Sequence, residues 1–208
     1  MKAAGVEEKA KLAEARHKTH AATQALERAR RSESAASPLP AALIRFTANP
    51  RYEPTVKECL EIAQSLAPER IEILDSAWKS AEDCVGFEAG RRLVSLFARL
   101  TSEWYDKFTE EGDTTARKVF TVGEYSATES ESVQGRADLR AVRSFSWRGH
   151  RLPMLRHLKI GKANDSRTTV RVYFEIVRSE KDGLDVSEAP KIVVGWCGRH
   201  LPIASMTS

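Results

Sequence analysis

His157 and Lys159 stand two apart in LRHLKIG (155–161), and Arg171 and Tyr173 stand two apart in VRVYFEIV (170–177). Side chains of a strand point alternately to its two faces, so Val170, Val172, Phe174 and Ile176 share one face and Arg171, Tyr173 and Glu175 the other. Leu158 and Ile160 belong with the apolar face, which sets His157 and Lys159 opposite. If the two segments are neighbouring strands, His157, Lys159, Arg171 and Tyr173 meet on one face. The segment KIVVGWC (191–197) is a further strand, followed by Gly198, Arg199 and His200. Gly195 and Gly198 suit close backbone approach or a bulge that aims Arg199 and His200 at the sheet's edge. Lys and Arg can stabilise the charge that develops on a phosphate in its transition state, while His or Tyr moves a proton. RNA cleaves through its own 2′-hydroxyl, so such a set requires neither a protein nucleophile nor a metal. The competing reading is a solvated basic face without chemistry.

A second set surrounds the first. Arg140, Arg143, Arg148, Arg151, Arg156, Lys159 and Lys162 form a run of seven cations with no Asp or Glu between them. They are candidates for phosphate contacts, with Phe145 and Trp147 either stacking on unpaired bases or facing inward as core. The net charge of +4 is spread unevenly: residues 41–119 carry 11 basic and 14 acidic side chains, and residues 120–208 carry 14 and 10. Such asymmetry points to a polyanionic partner.

Other chemistries fit less well. His150, His157, Cys197 and His200 could be imagined around zinc, but their spacing matches no standard pattern, and no metal or other cofactor is expected. Glycine-rich phosphate-binding motifs are absent. Cys59, Cys84 and Cys197 cannot all pair and none sits in a CxxC, which suits reduced thiols in a cytoplasmic setting. No stretch approaches the ~18 apolar residues of a membrane span. The first residues, MKAAGVEEKAKLAEA, lack the apolar middle of a secretory signal.

The elements that must position these residues follow from periodicity. Residues 1–36 are rich in Ala, Glu, Lys and Arg with few large apolar residues, which predicts a helical stalk or coiled-coil segment able to self-associate. Pro and Ser punctuation separates it from residues 41–119, read as a helical domain. There Val56, Leu60, Ala63 and Leu66, then Ile71, Leu74, Ala77 and Trp78, then Leu93, Leu96, Phe97, Leu100 and Trp104 repeat at helical spacing. Gly86 and Gly90 mark a helix junction, and EEGDTT (110–115) reads as a loop. Beyond Phe120 the period changes to two. LRAVRSFSW (139–147), LRHLKIG, VRVYFEIV and KIVVGWC read as four strands of an antiparallel sheet in a basic domain spanning 120–208. The fold class expected is therefore α+β.

LRHLKIG, TVRVYFEIV and KIVVGWCGRHLP resemble the last strands of the RelE/ParE toxin superfamily over residues 155–202. The resemblance implies that Lys159, Arg171, Tyr173 and Arg199 occupy positions that bind or cleave RNA in ribosome-dependent members. It implies a bacterial toxin–antitoxin setting, with RNA or the ribosome as target and an antitoxin as partner. The expected function is a toxin-like or defence effector acting on RNA through the basic sheet face, as a metal-independent endoribonuclease. The alternative is a non-catalytic nucleic-acid-binding or protein-interaction module, because one fold hosts many functions.

Overall fold

The computed structural model describes residues 39–161, 165, 167–178, 185 and 188–203. The stalk expected over 1–36 and the candidate phosphate contact Lys162 lie outside the described residues.

Helix α1 spans Ala41–Ala48 and α2 spans Val56–Leu66. Thr55 caps α2: its hydroxyl accepts from the Glu58 amide at 3.2 Å while the Glu58 carboxylate accepts from the Thr55 amide at 2.8 Å. A three-residue strand, β1 (Ile71–Ile73), leads into α3 (Asp75–Glu82) and α4 (Gly90–Arg99). The rod of α4 continues through one wide π turn, Leu100–Trp104, into α5 (Tyr105–Glu111). At that turn the Thr101 hydroxyl donates to Phe97 O (3.0 Å) and the Ser102 hydroxyl to Ala98 O (2.6 Å), competing with the main-chain ladder where it widens. Short pieces follow: α6 (Asp113–Ala116), a 3₁₀ turn, β2 (Tyr125–Ser126), α7 (Glu131–Gln134) and α8 (Ala137–Ala141). The remaining strands are β3 (Ser144–Trp147), β4 (His150–Pro153), β5 (Arg156–Ile160), β6 (Val170–Val177) and β7 (Lys191–Gly198).

Five strands form one sheet in the order β1-β7-β6-β5-β2, and β3 pairs with β4 alone. The α+β class expected from periodicity is present, with two corrections. The sheet is mixed, because β1 runs parallel to β7 (Ile71↔Ile192, Ile73↔Val194). Nor do the helices form a domain of their own: Pro40 onward is one compact unit. A single core joins Leu60, Ile62, Leu93, Phe97 and Trp104 of the helices to Leu158, Val172, Phe174 and Val194 of the sheet. Burying each such side chain stabilises the fold by roughly 1.5–3 kcal/mol, and the stripe on α4 is buried between α2 and the sheet.

The boundary moved because Ile71 and Leu74 fit two periods at once. Ile71 and Ile73 are buried in a strand, and Glu72 between them turns away to accept the Trp147 indole N–H at 2.7 Å. The expected strand over 139–147 is likewise half helix. Leu139 and Arg143 are four apart, a spacing that puts residues on one face in either conformation, and both are buried. EEGDTT is not a loop but the end of α5 and the start of α6.

The second face of the sheet is covered too. The β3–β4 hairpin turns through Arg148 (φ 48°) and Gly149 (φ 82°), the positive pair that a tight two-residue hairpin requires. Its Phe145, and Met154 just beyond it, lie on Gly195, where an added Cβ would come within 2.5–2.6 Å of both. Trp147, Leu152, Met154, Tyr173, Val177, Val193 and Leu201 form a second, smaller core there. Phe145 and Trp147 are therefore packing residues, not exposed stacking platforms.

Candidate functional site

Strands β5 and β6 are neighbours, and their register pairs His157 with Tyr173 and Lys159 with Arg171. The four residues expected to share a face do so. What covers that face differs from the sequence reading: the segment from Ala127 to Arg143, carrying α7 and α8, lies over it and sends in Glu129. The Glu129 carboxylate accepts from Arg143 Nε at 2.6 Å and from the Tyr173 hydroxyl at 2.8 Å through the same oxygen. Arg143 is fully buried and also donates to Leu139 O at 2.9 Å.

The imidazole of His157 lies against the Tyr173 ring, with centroids 4.9 Å apart. Its Nδ1 is 3.0 Å from Leu155 O, and a carbonyl can only accept, so Nδ1 carries the proton and Nε2 presents a lone pair. Lys159 Nζ donates to the Ser126 hydroxyl at 2.7 Å and remains half-buried. Arg171 is turned the other way. Its Nη1 donates to Ile160 O (2.7 Å) and Val170 O (3.0 Å) and its Nη2 to Gly161 O (3.3 Å), closing the base of the β5–β6 connection.

Electrostatics follow from this packing. Burial would raise the Glu129 carboxyl, but the hydrogen bonds from Arg143 and Tyr173 and the nearby His157 hold it below the usual carboxylate range. Burial, and then the Glu129 charge, push the Tyr173 phenol up. Burial lowers Lys159, with the Arg171 guanidinium adding to the effect. Burial pushes His157 down to about 4, against the opposing pull of its Leu155 hydrogen bond and of Glu129.

A pH dependence follows. The unfolded chain protonates His157 near its ordinary value of 6.5 and the folded chain only near 4, so between those values the unfolded state binds more protons. Stability therefore falls as pH drops through that window, by on the order of 2 kcal/mol between pH 7 and pH 5. Urea unfolding of the chain and of His157→Gln at both pH values checks this. The Gln variant should lose most of the difference, and an unchanged slope would mean the imidazole is not held neutral.

The other expected residues are placed less favourably for binding phosphate. Arg143 is an interior residue, and Arg171, only 6 % exposed, is part of the core rather than a free guanidinium. Arg148 pairs with Glu188 (2.6 Å) and Glu72 (3.5 Å), and Arg156 with Glu175 (2.6 Å) and Asp113 (3.8 Å). Arg140 donates to the Gln134 carbonyl. Arg143, Arg148 and Arg156 of the run thus meet acids from other elements in space, while Arg140 and Arg151 stand exposed with no ion pair among the described residues. Arg199 is exposed past Gly198, and its carbonyl accepts the Trp196 indole N–H at 2.9 Å. His200 Nδ1 lies 2.7 Å from Leu201 O. Neither bonds to the Glu129 cluster among the described residues.

Sequence reasoning missed Glu129. It lies in YSATESES, a polar run with two acids, Glu129 and Glu131, in which no periodicity marks either as inward. Among the described residues no group of three His, Cys, Asp or Glu is arranged to hold a metal ion, and no helix is long and apolar enough to cross a membrane. All three cysteines are free and buried. No family model, no curated protein and no solved structure matches the chain.

Proposed function

We propose that the chain is a toxin-like effector acting on RNA in the cytoplasm, with its chemistry at His157 and Lys159. One observation carries the reading: a neutral imidazole whose Nε2 bears the lone pair, itself only 5 % exposed, and a half-buried ammonium lie two residues apart on one strand, beside the Tyr173 ring that the Glu129 carboxylate holds. In an RNA strand the 2′-hydroxyl attacks the adjacent phosphorus. The O2′–P bond forms, the P–O5′ bond breaks, and the hydroxyl proton passes to His157 Nε2. Lys159 carries the charge on the phosphoryl oxygens and gives a proton to the departing 5′-oxygen; water then restores both groups. Tyr173 and Glu129 act as positioning residues, since the phenol is spent on the carboxylate and the carboxylate on Arg143. Arg171 shapes the strand connection and does not touch substrate. In this reading RNA, free or on the ribosome, is the partner, and the likeness to RelE-type strands rests on the sequence of residues 155–202 alone.

The second reading, a non-catalytic nucleic-acid-binding or protein-interaction module, draws on the burial of Arg171 and Tyr173, which leaves few cations to contact a transition state. Inducing the chain in a bacterial host and following growth and RNA integrity separates the two. The chain should slow growth and cut RNA, and Lys159→Ala should lose at least about a hundredfold in cleavage while keeping its fold. Intact RNA with the unaltered chain would leave the non-catalytic module as the better account.

A further inference from the structure

Beside Lys159 the sheet ends in an open edge. Strand β2 is last in the order β1-β7-β6-β5-β2, so among the described residues only one of its sides is paired. Lys159 N donates to Glu124 O at 2.8 Å, and β2 and β5 are antiparallel with Tyr125 opposite Leu158 and Ser126 opposite His157. Pairs facing inward and outward alternate along such a ladder. The bonds at Glu124 therefore turn the amide and carbonyl of Tyr125 outward, away from β5. They face a cleft lined by Arg117, Phe120, Tyr125, Ser126 and Thr128. Ser126 belongs both to this cleft and to the Lys159 hydrogen bond, so the two places are contiguous. Tyr125, half-buried and stacked at 5.5 Å on the buried ring of Phe120, supplies a small apolar wall. Arg117 stands exposed at its rim with no ion pair among the described residues.

We propose that this cleft is a nucleotide subsite, holding one unpaired ribonucleotide whose phosphate meets Lys159. This deepens the RNA reading and rests on it. The chemistry matches piece by piece. A base offers an apolar edge for the accessible part of the Tyr125 ring and a hydrogen-bonding edge for the outward amide and carbonyl of Tyr125. The ribose hydroxyls meet Ser126 and Thr128, and flanking phosphates meet Lys159 on one side and Arg117 on the other. A duplex would present neither an unstacked face nor a free edge, so the ligand is single-stranded. The backbone pair at Tyr125 sits at a fixed separation and should favour some bases over others. Preference at the nucleotide next to the scissile phosphate is thus set here, while the cleavage step belongs to His157 and Lys159.

The test uses the full chain, titrated by NMR with each of the four ribonucleoside 5′-monophosphates and by fluorescence anisotropy with a labelled single-stranded oligoribonucleotide. Thr128→Trp fills the cleft from an exposed position, and Arg117→Glu reverses the rim charge without adding bulk. Both should weaken nucleotide and oligonucleotide binding by about tenfold. Mononucleotides that fail to bind, or that bind both variants as well as the unaltered chain, overturn the subsite. So does RNA cleavage whose rate and base preference are untouched by Thr128→Trp, an outcome that leaves the His157–Lys159 assignment standing. Nucleotide binding lost in both variants, from a chain that never harms RNA, keeps the subsite and removes the effector reading. Binding of an extended peptide in place of nucleotides would make β2 an edge for strand addition and overturn the proposal.

Discussion

Replacing Glu129 with Ala should cost the chain about 3–5 kcal/mol of stability, enough to unfold a good part of it at 37 °C. The guanidinium of Arg143 is fully buried, and Glu129 is its only anionic partner among the described residues. Without the carboxylate a full charge stays in the interior, its Nη2 already lacking a partner among the described residues, and the Tyr173 hydroxyl loses its acceptor as well. Breaking a buried pair from one side is far worse than removing both halves. Glu129→Leu combined with Arg143→Met should therefore recover most of the loss, because both replacements are apolar and of similar size. Tyr173→Phe should cost only about 1 kcal/mol, the value of one hydrogen bond. Urea midpoints of the four proteins decide the matter. A Glu129→Ala chain within about 1 kcal/mol of the unaltered one would mean that water, not protein, solvates Arg143.

A second large effect is expected far from this cluster. Gly90 opens α4 against the start of α2, and a Cβ there would lie 1.9 Å from Pro54 O, 2.8 Å from Pro54 C and 2.9 Å from Pro54 N. All three atoms are backbone, so no rotamer relieves the overlap. The Cys59 thiol bridges the same contact, at 3.4 Å from Gly90 O and 3.9 Å from Pro54 O, so the two helix starts are held as one piece. Gly90→Ala should therefore abolish soluble protein or cost about 4 kcal/mol or more. Gly135→Ala is the control: its φ is −70° and its nearest neighbour would be Glu131 O at 3.3 Å, so it should change little. Comparable melting points for Gly90→Ala and Gly135→Ala would show that α2 and α4 are free to separate.

The sequence was informative where alternation was strict and silent where contacts were distant. Strand β6 could be assigned residue by residue, because Val170, Val172, Phe174 and Ile176 follow a period of two without interruption, and its pairing with β5 placed His157 and Lys159 beside Tyr173 and Arg171. Alternation says which way a side chain points, not whether anything lies above it. Arg171 and Tyr173 point where expected and are nonetheless buried, because the turn carbonyls and the segment bearing Glu129 close over them. The same gap explains the basic run: Arg148 is neutralised by Glu72, which belongs to a strand far away in sequence, and by Glu188. Strand β1 was hidden for a simpler reason. Three residues give too few repeats for either period to show, and what makes Ile71–Ile73 a strand is the edge that β7 offers it.

That parallel pairing also governs the order in which the protein can come into being. Ile71 finds its partner only at Ile192, so at a synthesis rate of about 5–20 residues per second some 120 residues must follow β1 before the contact can form. A growing chain carries α2, α4 and α5 with their apolar faces waiting for a sheet that does not yet exist. Strand β7 pairs with both β1 and β6, and when it arrives it joins early and late halves in one step. Folding therefore waits on β7 for its decisive event, is slow by the measure of contact separation, and depends during elongation on whatever shields those helices. A ribosome stalled before residue 191 would hold a chain without the strand that joins the two halves of its sheet.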